Sequence, residues 1–241
     1  SLPNESILYV GDTARVPYGN KSKIRIQEFS NEITQWLVDQ NAKMIVVACN
    51  TASSLALDYI KSKFDLPIIG VIEPGIHSAI SITKNKRVGI LGTNATIKSD
   101  AYGERLRAAN DQISVVSQAC PLFVPLAEEG WVSGDVPTAI ATTYLEPIKR
   151  SNVDTLILGC THYPLLKSIL RQVLGSDVAL VDSGAATAAA VNSVLSKNNL
   201  VSNDNTGEIH CYVTDSRDSF EALAGRFVHA NISEITHVDI S

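Results

Sequence analysis

The ten residues from Ile45 to Ser54, IVVACNTASS, constrain this chain more than any other stretch. A short apolar run ends in Ala48-Cys49-Asn50-Thr51, and small and hydroxylated residues then open a helical pattern. Bounded in this way, the run reads as a buried strand of a parallel sheet. Its polar cluster falls at the strand's carboxyl end, where open α/β sheets bind ligands. The same grammar returns at Leu156 to Leu165, LILGCTHYPL, where the strand ends in Gly159-Cys160-Thr161-His162 and Pro164 suits a first helical turn. Cys49 and Cys160 therefore stand at equivalent strand ends.

Around these two stretches, strand and helix patterns alternate. ILYVGD, beginning at Ile7, reads as a strand, and a helix follows with Ile26, Phe29, Ile33, Trp36 and Leu37 at helical spacing. PIIGVIEPG reads as a strand stopped by Pro74 and Gly75, RVGILGT as a strand, and ATIKSDAYGERLRAA as one helix. Further on come the strand ISVVSQ, a helix near Val136 to Lys149, the strand VALVD, an alanine-rich helix from Ala185, and a closing strand, helix and strand through Cys211, Phe220 and Val238. This alternation implies an α/β protein of mainly parallel sheets flanked by helices.

The chain also carries a faint internal duplication. KMIVVACNT matches DTLILGCTH, and each is followed after one helix by a strand ending in an acid and a glycine, Glu73-Pro74-Gly75 and Asp182-Ser183-Gly184. Two similar lobes with a cleft between them are expected, residues 1–73 with 183–241 forming one and residues 74–182 the other.

A thiol at a strand end before a helix feels the positive end of the helix dipole, which predicts a lowered pKa and thiolate character for Cys49 and Cys160. Two such thiols in mirrored settings suit paired acid and base work, although a single cysteine is more often a small core hydrophobe. That structural reading is preferred for Cys120 and Cys211, which lack a polar cluster. His162 could steer or protonate Cys160, or cap a helix. Thr93 and Thr96 open another helix after RVGIL, as an N-cap or as an anion site. Asp12 is a turn residue or a site carboxylate, and spacing does not decide between them. The closely spaced ligand pairs of zinc sites are absent, as are Walker and GxGxxG loops, so no metal and no nucleotide cofactor is expected.

With 241 residues, 45% of them hydrophobic, a large core can be buried. A net charge of −5 without long like-charge runs argues against nucleic acid as a partner. No apolar stretch approaches the roughly 18 residues of a membrane span. Four cysteines without a CxxC pair look like reduced thiols, and the compartment expected is the cytoplasm.

YVGDTARVPYG, VVACNTASS, GVIEPG, GTNATIKSDAY, CPLFVPLAEEG and LGCTHYPLL, in this order, resemble the aspartate and glutamate racemase family over most of the chain. The ACNTASS and GCTHYPLL forms look like its glutamate branch. The resemblance implies a two-lobed enzyme without cofactor that interconverts L- and D-glutamate and supplies D-glutamate for peptidoglycan. By the same resemblance, Cys49 takes the proton from D-glutamate and Cys160 from L-glutamate, the partner thiol returning one to the opposite face. Substrate-binding positions carry over to Pro17, Tyr18, Gly19, Asn50, Thr51, Thr93, Thr96 and Thr161, and assisting groups to Asp12, Glu128 and His162. The family opens with a strand ending in an Asp-Ser-Gly turn, which the resemblance would place upstream of Ser1. A racemase for aspartate or another amino acid, and a non-catalytic amino-acid binding protein, are the competing readings. Oligomeric state is left open, a homodimer included.

Overall fold

The computed structural model describes residues 2–203, 206–227 and 234–240. In chain order the elements are β1 (Ile7–Gly11), α1 (Lys23–Asp39), β2 (Ile45–Val47), α2 (Asn50–Leu55), α3 (Leu57–Lys61), β3 (Ile68–Gly70) and α4 (Ile72–Ile82). They continue through β4 (Arg87–Gly92), α5 (Asn94–Lys98), α6 (Ala101–Ala109), β5 (Ser114–Ala119), α7 (Phe123–Glu128), α8 (Asp135–Arg150) and β6 (Thr155–Gly159). A 3-10 turn (Tyr163–Leu166) then leads into α9 (Lys167–Leu174), β7 (Ala179–Val181), α10 (Gly184–Lys197), β8 (Ile209–Val213), α11 (Arg217–Phe227) and β9 (Ile235–His237).

Every pairing among the described strands is parallel. One sheet of four strands runs in the order β5-β4-β6-β7, while the remaining strands form β1-β8-β9 and the separate pair β2-β3. The four-stranded sheet is covered on two sides. Leu156 and Leu158 point to a cluster with Leu145, Ile148, Tyr163 and Leu170. Val88, Ile90 and Ile157 point to the opposite cluster with Ile72, Ile76 and Leu106. β6 is buried at all five positions, the continuous apolar run that helices on both faces demand. Around β2 and β3 a smaller cluster forms from Ile45, Leu57, Ile60 and Ile68.

The duplication read from the sequence has a geometric counterpart. β2 pairs with β3, Ile45 opposite Ile68, just as β6 pairs with β7, Thr155 opposite Ala179. In both halves, however, the acid and glycine belong to a helix entrance and not to a strand end. β3 stops at Gly70, and α4 already includes Ile72, Glu73, Pro74 and Gly75. Pro74 lies in the first turn of α4, where its missing N–H costs nothing, so it opens a helix where a strand stop was expected. The helix expected across 95–109 is likewise two helices. Asp100 takes a left-handed backbone, φ 51°, which ends α5 and redirects the chain into α6.

Candidate active site

The loop after β1 supplies the first group of side chains. Asp12 is buried, and its carboxylate accepts hydrogen bonds from Arg15 Nε at 2.8 Å, from Thr214 Oγ1 at 3.0 Å and from the Tyr18 hydroxyl. Arg15 also pairs with Glu32 of α1, and its guanidinium lies over the Phe29 ring, 4.3 Å from the centroid. Asp12 therefore braces this loop, and both of its oxygens are engaged in doing so. The braced loop carries the cis Val16–Pro17 peptide, Tyr18 and Gly19 to the four-stranded half of the molecule. A Cβ on Gly19 would sit 2.7 Å from Thr93 Cβ, so glycine is what permits the approach.

A second group lies at the seam where α2 meets α5 and α6. The hydroxyls of Thr51, Thr93 and Thr96 form a triangle with sides of 3.0, 3.2 and 3.0 Å. Thr93 is also the N-cap of α5, accepting from the Thr96 amide, as the capping reading of this pair expects. All three hydroxyls are buried, and mutual hydrogen bonds satisfy them as burial requires. Beside them Asn50 Nδ2 donates to the Tyr102 hydroxyl at 2.7 Å.

Cys160 and its neighbours make the third group. His162 Nδ1 lies 3.8 Å from Cys160 Sγ, and His162 Nε2 lies 3.1 Å from Glu128 Oε1, giving a chain of thiol, imidazole and carboxylate. Thr161 Oγ1 is 3.4 Å from the same Nδ1. Glu128 is the last residue of α7, which packs against the turn after Cys160 and so brings the carboxylate to His162. A cavity of about 230 Å³ opens here, lined by Asn50, Cys160, Thr161, Val71, Asp182 and Thr187 among others. Cys49 stands beside it, half-buried, packed with Tyr18 against Ile26, Ala52 and Ala56.

All four cysteines are free thiols, as the composition suggested. The expected lowering of the two site thiols is reversed. Burial pushes Cys49 up, although the amides of Ala52 and Thr51 and the Thr51 hydroxyl pull it down. Burial pushes Cys160 up to about 12, and the nearby Cys49 and Glu128 push the same way against the His162 amide and the Thr161 hydroxyl. The reason is helix length against desolvation. α2 has only six residues, and Cys160 is followed by a 3-10 turn, so neither thiol faces a long helix dipole while both lose water. Burial thus favours the neutral thiol at both positions. Cys120 and Cys211 are buried, Cys120 among Leu91, Phe123 and Tyr163 of the core. Among the described residues no three His, Cys, Asp or Glu side chains converge to hold a metal ion.

Known proteins share both the sequence pattern and the overall shape of this chain. A sequence profile described as Asp/Glu/Hydantoin racemase matches residues 1–191. The chain belongs to this racemase family. Among its curated relatives, the glutamate racemase of Geobacter metallireducens is 43% identical over 241 residues, spanning 100% of this chain and 89% of the relative. That of Aquifex aeolicus is 47% identical over 223 residues, 92% of this chain and 84% of the relative. The crystal structure of a glutamate racemase isoform from Bacillus anthracis superimposes with a TM-score of 0.94 at 36% identity, covering 99% of this chain and 89% of that one. The Francisella tularensis glutamate racemase, solved in complex with D-glutamate, gives 0.92 at 37% identity, over 100% and 89%. Racemase folds of this kind carry two lobes, and the separate sheets seen here fit that plan.

Of the residues singled out in the sequence, the structure brings Cys160, Thr161, His162 and Glu128 into one group, and Thr51, Thr93 and Thr96 into another beside Asn50. Arg15 and Tyr102 were passed over. Arg15 stands within the same DTARVPYG stretch as Asp12, so a buried partner for that acid was there to be asked about. Tyr102 offered no local signal, because its role depends on a contact 52 positions away.

Proposed function

We propose that this chain interconverts L- and D-glutamate without a cofactor, by proton transfer between Cys49 and Cys160, and so supplies D-glutamate for peptidoglycan. The observation that carries the proposal is one cavity lined by Cys160 and by Ala48 and Asn50, the residues on either side of Cys49, with both cysteines free thiols at equivalent strand ends. Racemising an α-carbon needs a base on one face and an acid on the other, with donors for the carboxylate as negative charge builds. Cys49 takes the proton from D-glutamate and Cys160 from L-glutamate, each returning a proton when the other has taken one. Both thiols are raised by burial, so the base form arises once the substrate's ammonium enters and offsets that burial. On the Cys160 side, His162 and Glu128 form the path along which the thiol proton leaves and returns.

Asn50, Thr51, Thr93, Thr96 and Thr161, with the backbone of Pro17, Tyr18 and Gly19, hold the two carboxylates, and Asp12 keeps that loop in place. The lobes comprise residues 1–73 with 183–241 and residues 74–182, with the substrate between them. In the Francisella relative the bound ligand is D-glutamate, which supports this choice among amino acids. Among the described residues no helix is long and apolar enough to cross a membrane, and the reading carries with it a cytoplasmic enzyme. The homodimer left open by the sequence is tested by sedimentation.

Circular dichroism of L- and D-glutamate and of L- and D-aspartate incubated with the protein tests the activity. Loss of optical signal from both glutamate enantiomers, and not from aspartate, is expected. Racemisation of aspartate alone would move the chain to a different substrate, and binding without loss of signal would make it a binding protein.

A further inference from the structure

One side chain touches both cysteine loops. Tyr102 is the second residue of α6 and is 2% exposed. Its hydroxyl accepts the hydrogen bond from Asn50 Nδ2, and Asn50 directly follows Cys49. An edge of the same ring lies against Gly159, which directly precedes Cys160. A Cβ on Gly159 would meet Tyr102 Cε2 at 3.3 Å and the Leu91 carbonyl oxygen at 2.5 Å. Glycine there lets the ring and β4 close on the strand end that carries the second thiol. A single ring with two torsions thus spans from the first residue after one cysteine to the last residue before the other.

We infer that Tyr102 is a positioning residue that fixes the separation of Cys49 and Cys160 through its hydrogen bond to Asn50 and its packing on Gly159. The inference rests on the two-thiol reading above. Packing alone does not account for a tyrosine. The ring sits among Ile72, Ile76, Ile90 and Leu106, an apolar cluster that phenylalanine would fill equally well, and the hydroxyl is the part that reaches Asn50 in the other half of the molecule. Asn50 is itself a wall of the cavity, so movement of its amide alters the space in which the α-carbon must sit. Burial also pushes the phenol's ionisation upward, which keeps the hydroxyl neutral wherever the enzyme works. Proton transfer from a fixed carbon to either of two fixed thiols is the kind of step in which a displacement of about 1 Å costs on the order of a hundredfold in rate.

Two measurements on Tyr102→Phe, Asn50→Leu and the double variant test this. The first is glutamate racemisation, read as separate kcat and KM beside the melting temperature. The second is bridging of Cys49 to Cys160 by dibromoalkanes of graded length, located by peptide mass spectrometry, which needs no turnover. Tyr102→Phe is expected to lower kcat by roughly tenfold to a hundredfold with little change in melting temperature. In the Asn50→Leu background it should add no further loss. The bridging yield, peaked at one reagent length in the parent protein, should spread over several lengths in both single variants. Asn50→Asp, to which Tyr102 can donate in its turn, should keep the single peak. Unchanged kcat with an unchanged bridging profile in Tyr102→Phe would overturn the inference, and so would an equal loss in the presence and absence of Asn50. If Tyr102→Phe does not fold, the contrast between Asn50→Leu and Asn50→Asp in bridging decides alone, and equal profiles for those two would overturn it. A parent protein that fails to racemise glutamate would remove the functional reading, while the bridging profiles would still decide the role of Tyr102.

Discussion

The two cysteines are reached by strands of very different construction. Cys160 follows β6, an inner strand of a continuous four-stranded sheet, paired on one side with β4 and on the other with β7. Cys49 follows β2, a three-residue strand with β3 as its one partner among the described residues, and Val46 in its middle is 39% exposed. The charge environments differ in the same sense. Cys160 has His162 and Glu128 in line behind it, whereas the groups pulling on Cys49 are the amides and hydroxyl at the start of its own helix. The two sides of a nearly symmetric reaction are thus built unequally. One thiol follows a strand paired on both sides and has an imidazole and a carboxylate behind it. The other follows a lightly paired strand, and Asn50 and Thr51 just after it contact the opposite half.

That contrast can be broken most directly through stability. Leu156 on β6 is fully buried, and Leu156→Ala should cost about 2–5 kcal/mol, measured by urea unfolding. Val46→Ala, on a half-open strand, should cost less than about 1 kcal/mol by the same measurement, because part of its area already faces water. Equal losses would mean that the two strands are equally integral to the fold. Native-state hydrogen exchange sharpens the same point. Amides of β4 and β6 should exchange only through global opening, while those of β2 and β3 exchange at least about tenfold faster through local opening.

Thiol chemistry offers a smaller effect with a defined sign. The native Cys160 thiol is raised to about 12 while an exposed thiol ionises near 8.5, so in free enzyme its alkylation should lag behind that of a small thiol at pH 8 and rise as pH climbs toward 12. The same shift means that the unfolded chain loses this proton first. Stability from Cys160 is therefore complete below the unfolded thiol's pKa and is lost as pH rises toward about 12, a loss that Cys160→Ser should lessen. Fast alkylation of Cys160 at pH 7 without substrate would show that burial does not control it.

Much of this arrangement could be read from residues alone, because apolar runs ending in polar clusters report both strand and site. IVVACNT and LILGCTH gave the strands, their parallel setting and the two thiols. What escaped were features that depend on contacts between distant segments. The break at Asp100 is a backbone choice that a helical pattern does not reveal, and Glu73-Pro74-Gly75 spells a strand stop and a helix start with the same letters. The direction of the thiol ionisation was misjudged for a related reason. The sequence displayed the helix starts, but not how much water the fold would remove around each sulfur.

The central claim is that the two thiols serve opposite enantiomers, and one measurement addresses it without the need for full racemisation. A glutamate analogue with a leaving group on its β-carbon undergoes elimination once its α-proton is taken, so each direction is read separately. Cys160→Ser should still eliminate from the D-analogue and fail on the L-analogue, and Cys49→Ser should do the reverse. If both variants lost both activities equally, or if each kept the enantiomer assigned to the thiol it lacks, the assignment of one cysteine to each face would be contradicted.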